Sequence, residues 1–462
     1  MKKMKFNTVV IGSGPAGYVA GIRLGQLGIK AAVIERENPG GVCLNWGCIP
    51  SKVLISGARK YWEVLKGKKY GIKLDGELSL DLEILQKYKN KVVKKLSRGV
   101  TQLLKANNTK LLSGEAVFID EHHLLVENDK EKLEVEFENC LIATGSKPAT
   151  LPFIDMNNPD IIGSKEALAL ESPPEKLVII GGGVIGLELG QFYAMADSKV
   201  IIIEAESQVL PGVEPQLVKV LTKKLKKMKI EINNSSLVEK VENSSAGLEV
   251  QFKQGDNKKI VNCSKVLVTV GRTPFFPQAE KLGLKTKNGF IVVDEYCRTN
   301  LEHIYAAGDV AGNPLLAHKA SAQAEVAVDN IAGKARKFQP AAIPAVCYTW
   351  PEIATVGLSE QEARQKGQDI KTGQISFKSS GRAMASTNTE GFIKLISDNN
   401  DVLLGAEIVS SEASELIHEA ALAIENKLGA RALGETIHAH PTLGESMMEA
   451  ARDLYGEAVH KI

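Results

Sequence analysis

One short device, written twice, constrains this chain more than anything else in it. Thr8-Val9-Val10-Ile11 reads as a buried parallel strand, Gly12-Ser13-Gly14-Pro15-Ala16-Gly17 turns into a helix carrying Gly21, and Ala31-Ala32-Val33-Ile34 returns as a second strand ending in Glu35. In this spacing the first glycine permits a tight turn and the second lets backbone approach a pyrophosphate. The third allows close helix–strand packing, and the helix N-terminus faces the phosphates. A carboxylate 23 residues after Gly12 is placed to accept ribose hydroxyls. The device recurs as Leu177-Val178-Ile179-Ile180, then Gly181-Gly182-Gly183-Val184-Ile185-Gly186 with Gly190, then Val200-Ile201-Ile202-Ile203 and Glu204. A lone glycine turn is weak, but two complete copies predict an α/β chain with two nucleotide sites: two cofactors, or one cofactor and a nucleotide substrate. Glu204 would repel a 2′-phosphate, and no Lys or Arg stands between it and Pro215, so the second site is expected to prefer NAD.

A chain of 462 residues has room for about three domains. Its 57 Lys plus Arg nearly balance 55 Asp plus Glu, which gives no reason to expect nucleic acid or an anionic membrane as partner. Six cysteines are too few for a disulfide-stapled scaffold, and Cys140, Cys263, Cys297 and Cys347 lie too far apart for metal-ligand spacing, so no metal is expected. Cys43 and Cys48 differ. Flanked by glycines and followed by Pro50, they suggest a loop entering a helix, where the N-terminal field stabilises a thiolate and a dithiol–disulfide cycle becomes feasible. The bland alternative is two buried, inert thiols. Met1-Lys2-Lys3-Met4-Lys5 followed by Val9-Val10-Ile11 imitates a signal peptide, but Gly12, Gly14, Pro15 and Gly17 break the apolar run. With no run of about 18 apolar residues either, a cytoplasmic location is expected.

From Asn90 to Lys105, Val92, Val93, Leu96, Val100 and Leu103 fall at helical spacing opposite Lys91, Lys94, Lys95 and Arg98, which predicts an amphipathic helix with a solvated basic face. Leu141 to Ser146 and Val266 to Pro274 read as strands ending in glycine turns where the chain passes between nucleotide domains. His303 to Val310 is a third strand and turn; its Asp309 is either a turn cap or a hydrogen-bonding partner for a flavin's ribityl chain. From about Cys347 an α+β tail is expected, with alternating strands such as Phe392–Ile396 and helices near Ala413–Glu425 and Gly444–Leu454. In the tail, Pro441 follows His440 just before a helix, and Glu445, about one turn inside it, is placed to hold one imidazole nitrogen and leave the other as a base. A surface histidine at a helix start is the plainer alternative.

Taken in order, these motifs resemble the pyridine nucleotide–disulfide oxidoreductases from about Phe6 to Tyr455. They include Lys52 after the cysteine pair, Thr144-Gly145-Ser146, Glu188, Gly271-Arg272, Gly308-Asp309, Pro351-Glu352-Ile353-Ala354-Thr355-Val356-Gly357 and His440-Pro441 with Glu445. The resemblance implies two Rossmann-like dinucleotide-binding domains, for FAD and NAD, plus a C-terminal α+β dimerisation domain. The ranges are 1–148 for FAD, 149–271 for NAD, 272–345 completing the FAD region, and 346–462 for dimerisation. It assigns Gly12, Gly14, Gly17, Glu35, Ala116, Thr144, Gly145, Ser146, Asp309, Leu316, Ala317 and His318 to FAD, and Gly181, Gly183, Gly186, Glu204 and Gly271 to NAD. Lys52 and Glu188 would pair near the flavin N5. It makes Cys43 the exchange thiol, Cys48 the flavin-facing thiolate, and His440 with Glu445 a base reaching the disulfide of the other subunit of a homodimer. The branch it most resembles oxidises dihydrolipoamide with NAD+ on lipoylated acyltransferases or carrier proteins of 2-oxo acid dehydrogenase or glycine-cleavage systems. Trp46 departs from the smaller or basic residue often found there. The competing readings are another NAD(P)H-dependent disulfide reductase and a redox-inert docking subunit.

Overall fold

A computed structural model describes residues 2–245 and 247–461; Met1, Ala246 and Ile462 lie outside it, including the first and last residues of the terminal domain ranges. The first sheet is built around the Lys2–Ile11 strand, which runs parallel to Ala31–Glu35 on one side and to Lys132–Ile142 on the other. That strand starts six residues earlier than its apolar core suggests, because Lys2 to Ile11 pairs along the Leu133–Ile142 register. Lys3 and Lys5, the leader-like cations, project from one face of the pleat onto Glu134 and Glu136 at 2.8 and 2.6 Å. Lys110–Ser113 closes one edge, an antiparallel pair (His123–Glu127 and Glu115–Phe118) extends the other, and Ile304–Ala306 returns to the Lys132–Ile142 strand.

The second copy of the device gives a second parallel sheet, with Lys176–Ile180 between Lys199–Ile203 and Lys265–Val268. The chain crosses between the two units twice. Outward it runs through Ser146–Pro148 and back through Arg272–Pro274, and these strands pair with each other, Pro148 opposite Arg272 and Ser146 opposite Pro274.

The tail is a five-stranded antiparallel sheet packed with the Ala413–Glu425 and Glu445–Asp453 helices. Its Phe392–Asp398 strand is buried at every residue from Phe392 to Ser397, so the expected alternation does not mark a one-sided strand. Glu445 opens its helix instead of lying a turn inside it. The basic helix also differs from expectation: it spans Leu82–Ala106, capped by Asp81, whose side chain accepts from the Ile84 N–H. Leu96 and Leu103 are exposed, whereas Gln86 and Lys89 are buried and donate to the backbone carbonyl of Leu168. Polar side chains occupy part of the buried stripe because that carbonyl needs donors, which shifts the inward face away from the one drawn by hydrophobicity. Among the described residues no helix is long and apolar enough to cross a membrane.

Candidate active site

The two glycine turns share one backbone geometry. Gly12 and Gly181 adopt φ of +94° and +101°, and a methyl on either would lie 2.5 or 2.6 Å from a carbonyl of the neighbouring strand end, Ala143 or Thr269. The third glycine of each copy packs tightly: a methyl at Gly17 would lie 1.8 Å from Gly12 O, and at Gly186 2.2 Å from Gly181 O. The second glycine, Gly14 or Gly183, faces open space, with nothing within 4 Å of an added methyl. The acids match in their backbone bonds. Glu35 Oε2 accepts from Ser13 N at 2.8 Å and Oε1 from Glu37 N at 2.8 Å; Glu204 Oε2 accepts from Gly182 N at 2.6 Å and Oε1 from Glu206 N at 2.8 Å. Glu35 Oε2 also accepts from Ser13 Oγ at 2.6 Å, a bond with no counterpart at Gly182. Each carboxylate therefore ties its own loop down, leaving its remaining lone pairs for a ribose.

Both turns open on one cavity of about 1200 Å³, which Ala116, Thr144, Gly145, Asp309, Gly271, Leu316, Ala317 and His318 also line. Of the cofactor residues expected from sequence, only Gly17 and Gly186 lie off its wall, serving helix packing instead. Ser146 Oγ donates to Asp309 at 2.5 Å and accepts from Arg272 Nε at 2.8 Å, fixing the carboxylate at the strand crossing. Arg272 had no assigned role beyond its motif. Ala116 is held by Gln278, whose side chain donates to Ala116 O at 2.9 Å and accepts from Phe118 N at 2.7 Å; no local pattern marks Gln278. Leu316 caps the Ala317–Ile331 helix, and His318 Nε2 sits 2.8 Å from Pro344 O. Thr144 Oγ1 is buried with no partner among the described residues. An orphaned hydroxyl in a wall with two bare glycine turns fits a flavin dinucleotide on the first turn and a second dinucleotide on the other.

Cys43 lies in a short helix, Gly41–Trp46, rather than in a loop, and Cys48 begins the next, Cys48–Leu65. Gly47 separates them because a side chain there would come within 3.1 Å of Cys43 Cα, and Gly41 lets the short helix sit on Gly14, where a methyl would meet Gly14 Cα at 2.6 Å. Cys48 and Lys52 share a helix face at i,i+4. The Cys43 thiol lowers the Cys48 pKa to about 7 by hydrogen bonding, against the effect of burial, with help from the Lys52 charge. The same hydrogen bond and burial push Cys43 up. Lys52 Nζ lies 2.7 Å from Glu188 Oε2. Trp46 also lines the cavity, its ring covered by Lys165 Nζ at 4.3 Å.

His440 Nδ1 lies 2.8 Å from Glu445 Oε1, and Glu445 Oε2 accepts from Thr442 N at 2.8 Å. The Thr442 N–H, then His440, hold the Glu445 carboxyl below its ordinary value. This pair is not brought to the cysteines: it does not line the cavity, and the His440 side chain is 79% exposed. His438 is fixed at both ring nitrogens, 2.9 Å from Thr436 O and 2.8 Å from Glu419 Oε1.

The sequence profile of the pyridine nucleotide-disulphide oxidoreductases matches residues 6–324, and that of their dimerisation domain matches residues 343–451. The chain belongs to this oxidoreductase family. Within it, the chain is 43% identical over 459 residues to dihydrolipoyl dehydrogenase of Geobacillus stearothermophilus, covering 98% of this chain and 97% of that one. It is 41% identical over 462 residues to dihydrolipoyl dehydrogenase of Bacillus subtilis (strain 168), with the same coverage. Among solved structures, LpdA from Mycobacterium tuberculosis superposes with a TM-score of 0.90 at 25% identity, over 98% of this chain and all of that one (100%). The HOCl-induced flavoprotein disulfide reductase RclA from Escherichia coli superposes with a TM-score of 0.86 at 27% identity, over 96% and 99% of the two chains. The two nucleotide-unit sheets and the α+β tail are thus the architecture of this family.

Proposed function

We propose that this chain oxidises protein-bound dihydrolipoamide to lipoamide and reduces NAD+, through a Cys43–Cys48 redox pair and FAD. The observation that carries the reading is the position of the two cysteines and Lys52 on the wall of the cavity into which both glycine turns open. One substrate thiolate attacks Cys43 Sγ of the oxidised pair, forming a mixed disulfide and releasing Cys48 as thiolate. The second substrate thiolate then attacks the substrate sulfur of that mixed disulfide, releasing Cys43 and the closed disulfide of lipoamide. The pair gains the two electrons that the substrate loses. Bound FAD supplies the hydride chemistry that links the dithiol to NAD+. Lys52 keeps the Cys48 thiolate stable, and Glu445 orients His440 so that Nε2 takes the substrate thiol protons.

His440 and Glu445 serve the cysteines of a second copy, so the homodimer is the working unit; Ile437 beside them is 96% exposed in the single chain. The domain ranges 1–148, 149–271, 272–345 and 346–462 and the residue assignments belong to the same proposal, as do a cytoplasmic location and lipoylated acyltransferase or carrier partners. Steady-state turnover tests it. Free dihydrolipoamide with NAD+ should give rapid turnover, and kcat/KM for NADP+ should be roughly tenfold to a thousandfold lower. Equal use of the two nucleotides, or activity only as an NADPH-driven reductase of another disulfide, would refute it.

A further inference from the structure

Tyr348 touches both members of the ion pair beside Cys48, from a different part of the chain. Its backbone N–H donates to Glu188 Oε1 at 2.9 Å, while Glu188 Oε2 faces Lys52 Nζ at 2.7 Å. The Lys52 ammonium lies 4.3 Å from the centroid of the Tyr348 ring. Glu188, on the Val184–Met195 helix, is 5% exposed with both oxygens engaged, so the carboxylate has no freedom to follow a moving partner. Lys52 is the loose member: a four-carbon arm, 33% exposed, whose ammonium meets the carboxylate and the ring.

We propose that Tyr348 is a positioning residue, whose ring face holds the Lys52 ammonium against Glu188 and toward Cys48. The inference rests on the reading that Cys48 is the flavin-facing thiol and Lys52 its counter-charge. A ring face attracts an ammonium most when both are partly desolvated, as they are in this wall, and it costs the lysine no proton. The charged or titratable groups acting on Cys48 are Cys43, Lys52, Glu188, Arg272 and Tyr18. Lys52 is the one cation among them carried on the same helix, and Tyr348 is the aromatic side chain that confines it. A sliding Lys52 would leave Glu188 as the dominant neighbour and raise the free energy of the thiolate.

The test uses FAD-loaded Cys43→Ser protein, where Cys48 remains as the reactive thiol on the cavity wall; Cys347, also on that wall, is pushed up to about 12 by burial and stays protonated. Thiolate formation is followed through the long-wavelength flavin absorbance as pH is raised. Adding Tyr348→Phe, which keeps the ring, should leave the midpoint within about 0.2 pH of the Cys43→Ser parent. Adding Tyr348→Met should raise it by about half a pH unit or more, roughly threefold less thiolate below the midpoint. Tyr348→Leu repeats the measurement if the Met variant fails to retain FAD. Equal shifts for Phe and Met, or no shift for Met while Lys52→Met does shift the midpoint, would overturn the role of Tyr348 and leave the proposed reaction standing. If Lys52→Met itself moves nothing, the assignment of Lys52 falls and this inference with it.

Discussion

Gly14 and Gly17, three residues apart, should respond in opposite ways to the same added methyl group. At Gly14 the methyl enters open space in the cavity; at Gly17 it meets Gly12 O at 1.8 Å. Gly14→Ala should therefore fold with stability within about 0.5 kcal/mol of the parent in FAD-free form, yet bind FAD at least about tenfold more weakly. Gly17→Ala should lose roughly 3 kcal/mol or more of folding stability, through backbone overlap in the core. Chemical denaturation with and without FAD separates the two effects, and similar losses at both positions would contradict these loop roles. Residues of this kind were legible in sequence because their spacing is local. Tyr348 and Gln278 were not, since each acts on a residue far away in the chain through a contact that no spacing encodes. Cys43 was misplaced for a similar reason: the close approach of Gly41 to Gly14 that seats its short helix is a tertiary contact.

Among the elements, the paired strands Phe392–Asp398 and Leu403–Ser410 carry an ion cluster unrelated to the redox site. Lys394 and Glu407 stand opposite each other in register, both nearly fully buried, with Nζ 3.7 Å from Glu407 Oε2 and in closer contact with Glu360. Burial pushes Glu407 up from an ordinary 4.5 to about 7, with Lys394 opposing and Glu214 and Glu360 adding to the rise. The folded state then binds more protons than the unfolded state between these values, so this group's contribution to stability falls as pH rises through that window. Glu407→Gln removes the titration, and its stability relative to wild type should improve by roughly 1–3 kcal/mol between about pH 4.5 and pH 7.5. Denaturation curves at both pH values check this; a gap that does not change with pH would show that Glu407 does not titrate there. Sequence could not announce such a cluster, because Lys394 reads as one polar residue in an alternating strand. The basic helix was misjudged similarly: its existence follows from periodicity, but its inward face depends on where Leu168 O lies.

For the whole molecule, the proposed reaction makes catalysis a property of two chains, because His440 stands off the cavity wall that carries the cysteines. A mixed dimer with Cys43→Ser in one subunit and His440→Gln in the other should retain about half of wild-type activity, because one site is assembled from two intact halves. Each parent homodimer should lose dithiol oxidation, by roughly a hundredfold to ten-thousandfold for His440→Gln. An inactive mixed dimer with full FAD content would place base and disulfide in one subunit. The order of motifs made the architecture legible, through two nucleotide units and a distinct tail. The proposed contribution of a second subunit rests on resemblance alone, since nothing near His440 in sequence points to Cys43.

The pairing of Ser146–Pro148 with Arg272–Pro274 bears on how such a molecule can be assembled by evolution. The stretch between them leaves and re-enters at a single spot, so it sits in the chain like a clause in parentheses. Around it the first sheet stays continuous, because the later Ile304–Ala306 strand pairs with Cys140–Ile142 and Ala307 N donates to Ile142 O at 3.0 Å. A gene encoding this protein could therefore exchange its coenzyme module as a cassette, trading one pyridine nucleotide for another without rewiring the order of the surrounding strands.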